Sequence, residues 1–321
     1  MAKKLKQKMM FSVGEVACRT VPEHPSAIVM LVSGGIDSIA TALWARQQYP
    51  NAHIYIFHNH LEGMDWPQTD TVITALADHI GNCSVIAVQA VLYSLTGEQT
   101  PAGCNATRLR RLHVVRHNSK WFGPAVTQDE SEMLTLLDFG LRARLGQPPT
   151  KKIRWCTSYQ KQSPTNRWLQ QNQHVLGSTA LLLSGERAAE SFSRSELVQT
   201  EMRFEAKTGW NILWHRPVLD KKWHEVVRMV VEANASLIHP GYFIQGETLT
   251  TMLDPDRCER GRARLSCMRC IFSRQEHIET ARQNAPLIMA PADAAIAAFE
   301  TEGGYRWEQR NAPLRVREIT V

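Results

Sequence analysis

The stretch AIVMLVSGGIDSIATALWARQQ, Ala27 to Gln48, runs from six apolar residues straight into Ser33-Gly34-Gly35-Ile36-Asp37-Ser38 and then into a helical pattern. A short apolar run bounded by Gly predicts a buried strand over Ala27–Val32, followed by a helix over Asp37–Gln48. A strand that ends in Ser-Gly-Gly turns successive backbone N–H groups into a concavity, and the next helix adds its positive dipole end, so the junction is an anion cradle. Gly34 and Gly35 permit the close backbone approach, and the hydroxyls of Ser33 and Ser38 can donate to phosphate oxygens. Asp37 either orients Mg²⁺ or caps the helix. The loop lacks the lysine of a Walker A sequence and does not match G-x-G-x-x-G, which removes the usual kinase and dinucleotide readings.

The rhythm continues outward from this junction. Strands are predicted over His53–His58 and Ser84–Gln89 with a helix over Thr69–Ile80 between them, and such alternation predicts an α/β fold. Its sheet is parallel and twisted, with helices on both faces. Residues 92–127 break the rhythm and read as an insertion with a basic helix around Arg108, Arg110, Arg111 and Arg116, either a solvated face or a nucleic-acid contact. A helix is expected near 129–144, and a second strand-to-helix turn at Ser184-Gly185. Trp214–Ala233 reads as one amphipathic helix. The expected organisation is a basic arm over 1–25, a nucleotide-binding domain over 26–205, a smaller helical, cysteine-bearing region over 206–285, and a C-terminal helix and tail over 286–321.

The 321 residues, 43% of them hydrophobic, suffice for a substantial core. A formal charge of +6 is compatible with a polyanionic partner without requiring one. There is no signal-peptide pattern and no apolar run of membrane-spanning length, so a cytoplasmic protein without membrane contact is expected. Seven cysteines, an odd number, argue against a disulfide framework and leave metal or redox chemistry open.

Ser-Gly-Gly-x-Asp-Ser after a first strand resembles the PP-loop of the ATP pyrophosphatase superfamily, with its adenine nucleotide alpha hydrolase-like fold. The resemblance implies that ATP is gripped by its β,γ-diphosphate on Ser33, Gly34, Gly35, Ile36, Asp37 and Ser38 while an acceptor oxygen attacks the α-phosphorus. Arg154-Trp155-Cys156-Thr157, Lys161, Pro164, Gly185-Glu186-Arg187 and Glu190-Ser191 resemble the phosphoadenosine phosphosulfate reductase-like family. That likeness implies cationic roles at the nucleotide for Arg154, Lys161 and Arg187, and places Gly185 against the nucleotide. Read from spacing alone, Arg187, Glu190 and Arg194 are surface ion pairs on one helix, worth about 0.2–0.5 kcal/mol each. Two positions depart from the family: Gln160 stands where reductases often have Arg, and His239-Pro240-Gly241-Tyr242 matches Asn-Pro-x-Tyr only loosely.

Cys258, Cys267 and Cys270 form a C-x8-C-x2-C group among arginines that favour thiolates. With Cys156 as fourth ligand the pattern resembles the DndC-type ATP pyrophosphatases of DNA phosphorothioation, which implies a [4Fe-4S] cluster, while a Cys₄ Zn²⁺ site uses the same residue types. Cys18, Cys83 and Cys104 lack such spacing and read as incidental thiols. The implied reaction is adenylylation of a DNA backbone phosphate, using ATP and Mg²⁺, followed by sulfur insertion. A cysteine desulfurase would be the sulfur donor, and the protein would work within a multi-subunit modification complex. The alternatives are a phosphoadenylyl- or adenylyl-sulfate reductase, against which the cysteine-free stretch after Cys270 argues, a PP-loop RNA thiolation enzyme, and a nucleotide- or nucleic-acid-binding scaffold.

Overall fold

The structure is a computed structural model that describes residues 20–61, 64–94, 109–117, 120–122, 133–134, 155–205, 210–258, 263, 265, 267, 268, 270, 273, 275–287, 289, 290, 293 and 294. In chain order the principal elements begin with β1 (Ile28–Leu31), α1 (Ile36–Gln48), β2 (Ile54–Asn59), α2 (Thr69–Ile80) and β3 (Cys83–Ser94). The strands β4 (Leu109–His117), β5 (Lys120–Phe122) and β6 (Met133–Leu134) follow. After a helical turn at Trp155–Thr157 and a π-helical turn at Ser158–Gln162 come α3 (Ser163–Gln171) and β7 (Leu181–Ser184). The chain then forms β8 (Thr200–Glu205), β9 (Trp210–His215), α4 (Trp223–Asn234) and α5 (Gln275–Asn284).

The strands form one sheet in the order β5-β4-β3-β2-β1-β7-β9-β8, with β6 also paired to β3. β3, β2, β1, β7 and β9 run parallel, and Ile28 stands opposite Ile54 on one side and Leu181 on the other. Central parallel strands are covered on both faces, which is why β1 is continuously apolar. Ile28 and Met30 pack with α1, α2 and α4, whereas Val29 packs with Trp168 and Leu169 of α3. Each of these β1 side chains is fully buried, worth about 1.5–3 kcal/mol apiece. The chain winds from β1 out to β3 and later returns to β7 on the opposite side of β1. The carboxyl ends of β1 and β7 therefore flank a topological switch point, where open α/β sheets place their ligands.

The α/β class and helices on both faces agree with the sequence reading, but the sheet is mixed at its edges. Residues 109–117, which include Arg110, Arg111 and Arg116, form strand β4 rather than a basic helix, paired antiparallel with β3. β3 is twelve residues long against six in β2, so its second half offers hydrogen-bonding groups beyond β2, and Val114-Val115 suits a strand. Arg108 lies outside the described residues. Of the helix expected near 129–144, Met133–Leu134 instead pairs with Leu92 and Tyr93, and the other positions lie outside the described residues.

Trp214–Ala233 is not one helix either: Trp214 and His215 end β9, and α4 begins only at Trp223. Pro217 disfavours helical geometry at Arg216, and Glu225 accepts from the Lys222 N–H at 2.6 Å to start α4. The boundary expected between 205 and 206 falls between β8 and β9, which pair antiparallel from Thr200–His215 to Glu205–Trp210. A smaller apolar cluster joins Trp66 and Met268 to Ile278, Ala281, Ala285 and Met289. It docks the cysteine segment onto the loop after β2, where the Met268 N–H donates to Met64 O at 2.7 Å. No helix among the described residues is long and apolar enough to cross a membrane.

Candidate nucleotide-binding cleft

The Ser33–Ser38 loop leaves β1 and turns into α1 with Gly34 at φ +74°, a conformation that glycine adopts without strain. Ser38 closes the turn: its hydroxyl donates to Gly35 O at 2.7 Å and accepts from the Ser33 N–H at 3.3 Å. Gly35, not Asp37, is the N-cap of α1, so Asp37 belongs to the first helical turn. The Ile36 N–H donates to the Tyr242 hydroxyl at 3.0 Å, which satisfies a helix-end donor from a residue 206 positions away. Burial raises the Tyr242 phenol well above its ordinary range, so it stays neutral.

His239 backs the loop from the same segment. Its Nδ1 accepts from the Gly241 N–H at 2.9 Å, which places the ring proton on Nε2, 3.3 Å from Thr69 Oγ1. Burial holds its pKa down at about 4. The His-Pro-Gly-Tyr segment, only a loose family match in sequence, thus braces the Ser33–Ser38 loop.

The turn after β7 meets the loop from the other side. A Cβ on Gly185 would come within 2.4 Å of the Asp37 carbonyl and 2.5 Å of Ser38 N, a contact only glycine tolerates. Arg187, 2% exposed, donates from Nε to Asp37 Oδ1 at 2.6 Å, and its guanidinium lies 5.2 Å from the Trp223 ring centroid. The surface-pair reading of Arg187 is therefore overturned. Glu190 accepts from the Arg187 backbone N–H and pairs with Arg194, while the Arg187 side chain turns inward. Arg187 does not line the cleft, although Gly185 and Glu186 do. Glu186 is held by Arg216, itself 1% exposed, stacked 4.2 Å over Trp214 and also paired with Glu201. The sequence reading missed Arg216 because nothing marks a buried arginine until its two carboxylate partners are brought beside it.

Between these turns lies a cavity of about 250 Å³. Its wall includes Ser33 and Ser38 of the loop, His58 and Asn59 at the end of β2, Asp65, Lys161, Thr165 and Arg203. The π-helical turn at Ser158–Gln162 delivers Lys161, and Thr165 anchors that turn by donating to Lys161 O at 2.6 Å. The neighbouring Cys267 thiol, then Asp65, Cys270 and Cys156, draw the Lys161 pKa up. Burial pushes the Cys267 and Cys156 thiols up, with Lys161 pulling each toward the thiolate. Lys161 is thus one counter-charge to these thiols; of the arginines expected from sequence, Arg257 pairs with Glu247, and Arg260, Arg262, Arg264 and Arg269 lie outside the described residues.

Cys156, Cys267 and Cys270 are partly buried in one neighbourhood, and Cys258 is exposed. No three of these sulfurs lie within 4.8 Å of one another; among the described residues the group that does so is His58, His60 and Asp70. No three of these thiols therefore stand at the ~3.8 Å separations that a tetrahedral zinc site at ~2.3 Å Zn–S requires. Arg154 lies outside the described residues, as do Cys18 and Cys104.

No protein-family model matches the chain, and no curated protein matches it. Among solved structures it is similar to the phosphoadenylyl-sulfate (PAPS) reductase from Candida auris in its phosphate complex. The identity is 12%, the alignment covers 64% of this chain and 71% of that one, and the TM-score is 0.33.

Proposed function

We propose that the cleft binds ATP with its β,γ-phosphates on the Ser33–Ser38 loop and its α-phosphate toward Lys161, and that the protein is an ATP pyrophosphatase. An acceptor oxygen attacks the α-phosphorus, the bond to the bridging oxygen breaks, and pyrophosphate leaves. The observation that carries this reading is the convergence of three chain segments on one cavity. They are a glycine loop at a helix N-terminus, a glycine turn packed on that loop, and a cationic turn bearing Lys161. Mg²⁺, arriving with the nucleotide, supplies charge neutralisation for the departing pyrophosphate, and Asp65 and Glu186 are carboxylates on the cleft wall.

The acceptor in this proposal is a DNA backbone phosphate. A persulfide charged by a cysteine desulfurase, within a multi-subunit modification complex, then attacks the adenylylated phosphorus, AMP leaves with that oxygen, and a second thiol cleaves the S–S bond, forming a disulfide and leaving sulfur on the phosphate. Cys156, Cys267 and Cys270, with Cys258 as fourth ligand, are the residues that would hold a [4Fe-4S] cluster beside the cleft, a group that supplies sulfur handling or structural support. Zn²⁺ is the competing occupant, since a Cys₄ site uses the same residue types. The thiols beside Lys161 support a second reading, reduction of phosphoadenylyl or adenylyl sulfate: a thiolate attacks the sulfonyl sulfur, the adenosine nucleotide leaves, and a second thiol releases sulfite as a disulfide forms.

Pyrophosphate release by anaerobically purified protein, with and without DNA and a cysteine desulfurase, tests the first reading; iron and sulfide analysis tests the cluster. ATP turnover stimulated by DNA is expected. Sulfite formation from adenylyl sulfate without any ATP turnover would replace the first reading by the second.

A further inference from the structure

The end of β2 carries a second set of metal-ligand types outside the cysteine group. His58 and His60 are two positions apart on the chain that leaves β2, so they point to the same side, and Asp70 rises from the first turn of α2 to meet them. One ligand atom from each lies within 4.8 Å of the others. His60 Nδ1 and Asp70 Oδ1 are 3.9 Å apart. His58, with a side chain 3% exposed, is the informative member.

Its Nδ1 lies 2.9 Å from Val32 O, a carbonyl that can only accept, so Nδ1 carries a proton and Nε2 is the ring nitrogen left for another partner. That buried Nε2 has no hydrogen-bond partner. It faces Asp65 Oδ2 at 3.4 Å, and the same carboxylate oxygen already accepts from the Leu61 N–H at 2.8 Å. In the neutral imidazole a bare Nε2 would face this carboxylate, an arrangement relieved by a cation between or beside them, either a proton or a metal ion. A histidine fixed through Nδ1–H to a backbone carbonyl with Nε2 bare is also the arrangement that orients metal-binding imidazoles.

We propose that His58, His60 and Asp70 bind a divalent first-row transition ion, of which Zn²⁺ is the representative, on the wall of the nucleotide cleft, with Asp65 beside it. Two imidazoles and a carboxylate suit Zn²⁺, Fe²⁺ or Mn²⁺ rather than Ca²⁺ or a sulfur-selective ion. Ligand atoms around tetrahedral zinc lie ~3.4 Å apart, given bonds of ~2.0–2.2 Å, so side-chain rotations that draw the atoms in by about an ångström complete the site. Because His58 and Asp65 line the cavity, an ion held here would lie beside the space proposed for the nucleotide phosphates. This site needs neither the cysteine group nor bound nucleotide, so it stands apart from the pyrophosphatase reading.

The test titrates the full-length, metal-stripped protein with Co²⁺, whose spectrum distinguishes nitrogen and oxygen ligands from thiolates, followed by competition with Zn²⁺. Wild type is expected to bind one equivalent that lacks thiolate-to-cobalt charge transfer and that Zn²⁺ displaces. His60→Ala and Asp70→Asn, at partly exposed positions, are each expected to weaken that equivalent at least ~100-fold. Any thiolate-bound cobalt should remain. Cobalt bound solely with thiolate charge transfer, or equal nitrogen/oxygen-type binding in wild type and both variants, would overturn the proposal.

Discussion

Gly185→Ala probes the joint on which the cleft depends. The added methyl would lie 2.4 Å from the Asp37 carbonyl carbon and oxygen and 2.5 Å from Ser38 N, all backbone atoms that cannot rotate away. Ordinary contact is ~3.5 Å, so the β7 turn and the start of α1 must separate by about 1 Å. That movement costs about 1–3 kcal/mol as overpacking. It also pulls Arg187 Nε from Asp37 Oδ1, now 2.6 Å apart with Arg187 2% exposed, and a charged hydrogen bond of this kind contributes about 1.5–3 kcal/mol. Since the two effects share one displacement they do not simply add, and a loss of about 2–5 kcal/mol is expected. Urea unfolding with an unchanged m value measures it, alongside nucleotide binding by calorimetry, where affinity should fall at least tenfold. A variant within 0.5 kcal/mol of wild type by this scale, binding ATP normally, would refute the claim that the two turns meet at backbone contact.

Three further outcomes follow from the same geometry. Tyr242→Phe removes the acceptor of the Ile36 N–H and should cost about 1–2 kcal/mol in urea unfolding, with no change if that hydrogen bond is absent. His239 has a folded pKa of about 4 against an ordinary 6.5, so its unfolded form binds protons first; its contribution is complete above pH 6.5 and is lost as pH falls toward 4. Between pH 7 and 4.5 wild type should therefore lose about 2–3 kcal/mol more stability than His239→Gln, and parallel curves for the two proteins would contradict a buried neutral imidazole. Asp37→Ala leaves the buried Arg187 without its carboxylate, which should cost about 3–5 kcal/mol and abolish pyrophosphate release while the metal content stays unchanged.

The central layer of the fold was legible in the residues. The apolar run at Ala27–Val32, the Gly-Gly turn and the alternation out to β3 locate β1, α1, β2 and α2 to within a residue or so at each end, and β3 at its start, because central parallel strands must be apolar on both faces. The edges were not legible. Arg110, Arg111 and Arg116 look helical as a cluster of charges, and their strand depends on β3 outrunning β2, a length that only the assembled sheet reveals. Trp214–Ala233 has apolar residues at helical spacing throughout, yet its first part is recruited as β9 by the open edge of β7.

The site divides in the same way. Local sequence marked the tight turn between β1 and α1, since glycines that end a buried apolar strand before a helical pattern impose one there. It also selected Lys161, Gly185 and the cysteines as residues of interest. What those residues do was decided by tertiary packing. Arg187 is an internal partner of Asp37 rather than a surface pair, because Gly185 lets the β7 turn touch the loop. Tyr242 and His239 brace that loop from two hundred residues away. His58, His60 and Asp70 meet only because β2 and α2 end and begin at the same edge of the sheet. Hydrophobic patterning is written along the chain, whereas a charge or a ligand acquires its partner only when the sheet brings distant segments together.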